Sequence, residues 1–292
     1  MFFFIFLTKS ISFNKMKKIT LLLILVLFTT LTFGQKREKI KGSKLVTVEP
    51  IEIKAFENLE VEDNIEVFLI KGTQFSLEIE ADNNLHNSIT ITPKGNTLRI
   101  SSSKDVFGYK KFAVRITYTN NFKMLVAKQK SIITTLNDLE LDSFTFKCFD
   151  YSKIFANVKV KSFTLMANDK SKIELNLKAE NVFIELSKNA ELKALLSSTQ
   201  IKLDMYQKTI AVVEGDATDL KIRLDNNAEF TGKNLTSKNT EIVTEANTSC
   251  SVNSTTSALI MASGKSEIQF YGDAKIELTK FTENAVIMKK SL

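Results

Sequence analysis

Asp150-Tyr-Ser-Lys-Ile-Phe-Ala-Asn157 and Ser162-Phe-Thr-Leu-Met-Ala-Asn168 are followed directly by Asp169-Lys-Ser-Lys-Ile-Glu-Leu-Asn176 and Asn181-Val-Phe-Ile-Glu-Leu-Ser187. These are two copies of one unit. Ile154, Ile173, Leu192, Ala211 and Phe230 fall at a constant step of 19 residues, and Cys250 and Ile268 continue the series after steps of 20 and 18. Two further columns keep the same step: Phe144, Phe163, Val182, Ile201, Leu220, and Phe146, Leu165, Ile184, Leu203, Ile222. Apolar and polar residues alternate within each unit, as in Val182-Phe-Ile184-Glu-Leu186, which is the period of a half-buried strand.

So short a unit cannot bury a core alone, but it can form one coil of a solenoid. Coils stacked about 4.8 Å apart would turn each apolar column into a continuous interior seam. The turn residues agree. Asn168-Asp169, Asn189, Asn226-Asn227 and Asn247 precede most of the small-residue triplets, and such side chains tolerate left-handed backbone. The expected fold is therefore all-β, a parallel β-helix of about 19 residues per coil. The competing arrangement is an antiparallel sandwich or meander.

The chain has 292 residues with 2 Pro, 9 Gly and no Trp, enough for one solenoid. Its net charge of +7 is concentrated at the front. Residues 1–34 hold four basic and no acidic side chains, and residues 35–44 hold five basic ones against Glu38. With these set aside the remainder is close to neutral, so charge gives no reason to expect a nucleic-acid partner. Met16-Lys-Lys-Ile-Thr-Leu-Leu-Leu-Ile-Leu-Val-Leu-Phe28 has the basic head and short apolar stretch of a secretory signal peptide. Small residues at Thr32 and Gly34 place cleavage before Gln35, and Met16 reads as an alternative start. The expected organisation is a signal peptide over 1–34, a basic, solvated arm over 35–44, and one β-helix domain over 45–292. Within the domain, 45–130 holds irregular strands and 131–280 the regular coils. No transmembrane span is expected in the mature chain, which would occupy the periplasm or the outer cell surface.

Residues 45–130 read as strands around turns. Asn64–Ile70 and Phe75–Glu80 flank Gly72, while Ile89–Thr92 and Thr97–Ile100 flank Pro93-Lys-Gly95. The succession Phe56-Glu-Asn-Leu-Glu-Val-Glu-Asp-Asn-Ile-Glu-Val-Phe-Leu-Ile-Lys-Gly72 resembles the opening of the bacterial head GIN domain family, the putative auto-transporter adhesin heads. Leu77–Leu85, Gly95–Ile100 and Val114–Tyr118 extend the resemblance, which covers about residues 45–280. It implies an exported, right-handed β-helix of a kind found mostly in Bacteroidetes. It rests on strand pattern and turns, and brings no ligand residues with it.

Chemistry is sparse. The single histidine, His86, sits in an Asn-Asn-Leu-His-Asn loop and is expected to be solvated. The coil register puts Cys148 and Cys250 about five coils, roughly 24 Å, apart, too far for a disulfide. Both are expected to be buried fillers. No cofactor is expected. The best polar cluster is an outward column running Lys147, Met166, Glu185, Asp204, Arg223. A charged solvent face in which Arg223 offsets Asp204 is the plainer account of it. Outward Phe155, Met166, Phe183, Ile210 and Val212 form either an exposed contact patch or a surface covered by the N-terminal strands. Glu185, Asp204, Arg223, Phe155 and Phe183 are accordingly the candidate binding residues. They point to a non-enzymatic surface for an envelope protein, a host surface or a glycan. A carbohydrate-active enzyme using Glu185 and Asp204, and a periplasmic scaffold or signalling partner, are the alternatives. Thr282–Leu292 is expected to blunt the last coil's open edge.

Overall fold

The structure, a computed structural model, describes residues 37–291; the expected signal peptide lies outside them. The chain divides into two compact units, residues 1–38 and 39–292. Of the first unit, only Arg37 and Glu38 are described.

The second unit is a parallel β-solenoid of about nine turns spaced roughly 19 residues apart. Its first strands are short: β1 (Lys39–Lys41), β2 (Val46–Ile51), β3 (Asn58–Val61), β4 (Glu66–Lys71), β5 (Ser76–Asp82), β6 (Ile89–Lys94), β7 (Thr97–Ser102), β8 (Asp105–Phe107), β9 (Phe112–Tyr118), β10 (Met124–Ala127) and β11 (Ile132–Thr135). Longer strands come next, one to a coil: β12 (Leu139–Cys148), β13 (Lys153–Ala167), β14 (Lys172–Leu186), β15 (Glu191–Tyr206), β16 (Ile210–Asp225), β17 (Glu229–Thr244) and β18 (Ser249–Ala262). The last are β19 (Glu267–Tyr271), β20 (Lys275–Phe281) and β21 (Val286–Lys289).

The repeat columns read from the sequence are the columns of the fold. Ile154 pairs with Ile173, then Leu192, Ala211, Phe230, Cys250 and Ile268. Parallel, in-register stacking puts equivalent residues in equivalent surroundings, and this preserves the period. Inward residues along β13 and β14 are buried in alternation, and the alternation slips once per coil, at Lys161-Ser162 and Glu180-Asn181, where two consecutive residues face out. That slip turns the corner of the coil. At the opposite turn the backbone is left-handed at Asp150, Asp169, Asn189, Asn226 and Asn227. At the Asn247 turn the strained residue is instead Ala246, with φ of 60°. The first residue of each triplet, as at Ser152, Ser171, Ala190, Thr209 and Ala228, is fully buried behind this turn, where only a small side chain fits.

The core is one continuous apolar seam. At its N-terminal end runs an aromatic chain, Phe122–Phe144–Phe146–Phe163, with ring centroids 4.8 to 5.8 Å apart. Cys148 and Cys250 are buried free thiols, as the register required. Burial pushes the Cys250 pKa up to about 12 and that of Cys148 higher still.

The N-terminal strands are less legible. The chain lays down β3 and β4, then adds β7 and β9 on one side of them and β10 and β11 on the other. β4 and β5 therefore do not form a hairpin across Gly72; β9 lies between them, parallel to β4 and antiparallel to β5. β6 and β7 do form a hairpin, with Gly95 left-handed in its turn. Pro93 lies within β6 and Pro50 within β2. Each strand has a single partner, so the missing N–H groups cost no ladder bond.

Residues 39–44 are not a solvated arm. β1 pairs in parallel with β8, and the Gly42 N–H donates to the Phe107 carbonyl. His86 is also not solvated. It lies in a short 3-10 turn at 6% exposure, with Nε2 2.8 Å from Thr47 Oγ1 and Nδ1 3.4 Å from a Glu49 carboxylate oxygen. The expected C-terminal cap, Thr282–Leu292, covers β19 and leaves β20 as an edge. Its β21 pairs with β19 and extends the coil by half a turn.

Candidate functional site

A groove of about 890 Å³ runs beside the corner of the coil and crosses β13 to β18 and then β20. The slip in alternation that makes the corner turns one extra side chain outward in every coil, and these side chains form the groove floor. They are Ser162, Asn181, Gln200, Asp219, Asn239 and Ser257, each in register with the next. One coil separates neighbours, about 4.8 Å. Every member carries a hydrogen-bonding group. In the later half these groups bond to one another: Asn239 Nδ2 donates to Asp219 Oδ1 at 2.9 Å, and Ser257 Oγ donates to Asn239 Oδ1 at 2.8 Å.

The wall two residues further along is Thr164, Phe183, Lys202, Lys221, Glu241 and Leu259, again in register. Its charges are matched locally. Lys221 pairs with Glu241 at 2.9 Å, and the carboxylate's hydrogen bond raises the lysine pKa. Lys202 reaches Asp204 at 2.9 Å and lies 5.1 Å from the centre of the Phe183 ring.

The structure sets Glu185, Asp204 and Arg223 side by side in one column, but Asp204 is buried at 8% exposure and does not belong to a charged solvent face. Arg223 does not offset Asp204, however. Asp204 is the partner of Lys202 on its own strand, and Arg223 reaches Glu245 at 3.4 Å. The apolar residues do not make one patch. Phe155 and Val212 share a column on the first segment of the coil, with Ile210 on the same segment. Met166 and Phe183 lie beyond the corner. Phe155 is 38% and Ile210 44% exposed, so the N-terminal strands do not cover them. Among the described residues no group of three or more His, Cys, Asp or Glu side chains could hold a metal ion. The floor residues Gln200, Asp219 and Asn239 were missed in the sequence, although a polar residue recurring immediately before each Phe163-type position signals them.

A family model described as "Putative auto-transporter adhesin, head GIN domain" matches residues 55–195 and 176–274. No curated protein matches the chain. Solved structures share its fold at low identity. A putative adhesin from Parabacteroides distasonis is 16% identical with a TM-score of 0.66, covering 87% of this chain and 100% of its own. One from Parabacteroides merdae is 15% identical with a TM-score of 0.62, covering 87% and 99%. A protein from Parabacteroides distasonis described as a putative lipid binding protein is 14% identical with a TM-score of 0.59, covering 87% and 100%. Among the described residues no helix is long and apolar enough to cross a membrane.

Proposed function

Because this chain belongs to the family of putative auto-transporter adhesin head GIN domains, we propose that it is an exported protein of the cell envelope, presented at the outer cell surface, that holds a partner on the outside of its solenoid. The observation that carries this reading is the groove, a continuous run of equivalent outward residues crossing several coils. The interior columns hold the fold, so the outer columns are free for recognition. We take the role to be binding and not catalysis. Glycoside chemistry needs two carboxyl groups acting from either side of a bond. Asp204 is bound to Lys202, and the neighbouring cation Arg223 to Glu245. The lipid-binding description of one similar structure is not carried over to this chain, because each coil adds an amide, hydroxyl or carboxylate side chain to the groove floor.

Protease added to intact cells tests the surface placement. Loss of the chain without loss of a periplasmic marker is the expected result. Protection until the outer membrane is opened would put the chain in the periplasm and overturn presentation at the surface.

A further inference from the structure

We infer that the groove floored by Ser162, Asn181, Gln200, Asp219, Asn239 and Ser257 holds an extended, uncharged polysaccharide laid along the solenoid axis. The inference rests on the binding role proposed above and names its ligand class.

The floor presents one hydrogen-bonding side chain per coil over six coils. A ligand that meets such a floor must itself be a linear repeat carrying donors and acceptors at a similar step. The side chains of Ser162, Asn181 and Gln200 are exposed and have no hydrogen-bond partner among the described residues. Amides offer two N–H donors and one carbonyl acceptor, the complement of a sugar's paired hydroxyls. The half-buried side chains of Phe183 and Leu259 on the wall give the C–H faces of a sugar an apolar surface.

The same residues disfavour other polymers. A peptide adding itself as a strand needs an unpaired strand edge. β13 to β18 are paired on both sides along the groove, so their backbone groups are already used. An anionic polymer needs unopposed cations. Lys202 and Lys221 are matched by Asp204 and Glu241, and the third lysine of the lining, Lys275, shares the groove with the carboxylates of Asp219 and Glu277. An acyl chain would suit the apolar part of the groove lining, but it would cover the polar side chains of the floor without bonding to them, which is unfavourable.

The test uses the full chain as its host exports it. Titration calorimetry is run with neutral glucan, mannan and β-linked N-acetylglucosamine oligosaccharides of increasing length, with alginate and phosphatidylglycerol vesicles as contrasts. Affinity for a neutral series should rise with length until the ligand spans about six coils. Asn181→Ala and Gln200→Ala should each weaken it several-fold, up to about tenfold, with unchanged circular dichroism. Lys193→Ala, on the first segment of the coil, should leave it unchanged. Binding of none of the neutral series, preference for alginate or vesicles, or equal binding by the Asn181→Ala/Gln200→Ala double variant would overturn the inference. If such a failure comes from a chain that protease removes from intact cells, the ligand class is wrong and surface presentation stands. If a chain protected in intact cells still binds a neutral glycan, the ligand class stands and surface presentation is wrong.

Discussion

The backbone N–H of Lys44 donates to the buried carboxylate of Asp82 across 2.7 Å. The same carboxylate accepts from the N–H groups of Lys110 and Lys111, each at 3.0 Å. One side chain at the end of β5 thus ties the start of the domain to the loop before β9. Burial pushes the Asp82 pKa up, but the N–H groups of Lys111, Lys44 and Lys110 outweigh it and hold the group below the ordinary carboxylate range.

Asp82 therefore contributes stability above its unfolded pKa of about 3.9, and loses it as pH falls through the lower folded value. Asp82→Ala should destabilise the domain by about 2 kcal/mol at neutral pH, because buried N–H donors lose their acceptor. Urea unfolding at neutral pH and at acid pH measures both effects. The gap between the native protein and the variant should shrink only at the acid end. A gap independent of pH would mean that the carboxylate's charge has no part in it.

Ser131, Ser152, Ser171, Thr209, Thr248 and Ser266 carry buried hydroxyls with no hydrogen-bond partner among the described residues. All six open the small-residue position behind the left-handed turns, and Ala190 and Ala228 fill it in their own coils with no hydroxyl at all. A buried hydroxyl without a partner forfeits its bonds to water. Ser171→Ala should raise the unfolding free energy by up to about 1 kcal/mol, seen as a higher urea midpoint at unchanged slope. A fall in the midpoint would show that the hydroxyl is bonded in the folded protein.

Gly215 interrupts β16 with φ of +116°, and a Cβ there would lie 1.9 Å from the Leu196 carbonyl oxygen of the coil beneath. Gly95 is also left-handed, at +56°, but a Cβ there meets nothing within 4 Å. Gly95→Ala should cost only the backbone term, about 1 kcal/mol. Gly215→Ala must also push two coils apart, and about 3 kcal/mol or more is expected. Thermal unfolding of the two variants checks the order, and equal losses would refute the packing argument.

What the sequence made legible follows from what repeats. The Ile154 and Phe163 columns could be read because each residue meets its own equivalent one coil away. The Asx turns could be read for the same reason. Asp82 met no such rule, since its partners Lys44 and Lys110 lie 38 and 28 residues away in segments that occur once. The insertion of β9 between β4 and β5 is hidden in the same way, because alternation reports that a strand has a buried face and not which strand lies beside it. In the candidate site the column of Glu185, Asp204 and Arg223 was legible, but the partners were not. A long lysine at position 202 reaches Asp204 along its own strand, and that choice depends on side-chain reach and not on register.

Deletion of residues 282–292 should convert the protein to oligomers. Among the described residues β21 is the only partner of β19 on that side, with Ile287 beside Ile268 and Lys289 beside Phe270. Ile268 and Phe270 are fully buried, and the Lys289 ammonium lies 5.3 Å from the centre of the Phe270 ring. Removing β21 leaves the β19 backbone unpaired on one edge and uncovers two large apolar side chains behind it. An edge of that kind pairs with another chain. β20, already an edge with Leu278 48% exposed, would then adjoin a second one. Light scattering on the truncated chain should give masses above that of a single copy, growing with concentration. A truncated chain that stays at the mass of one copy, with its β-sheet circular dichroism intact, would show that the last half coil does not protect the end.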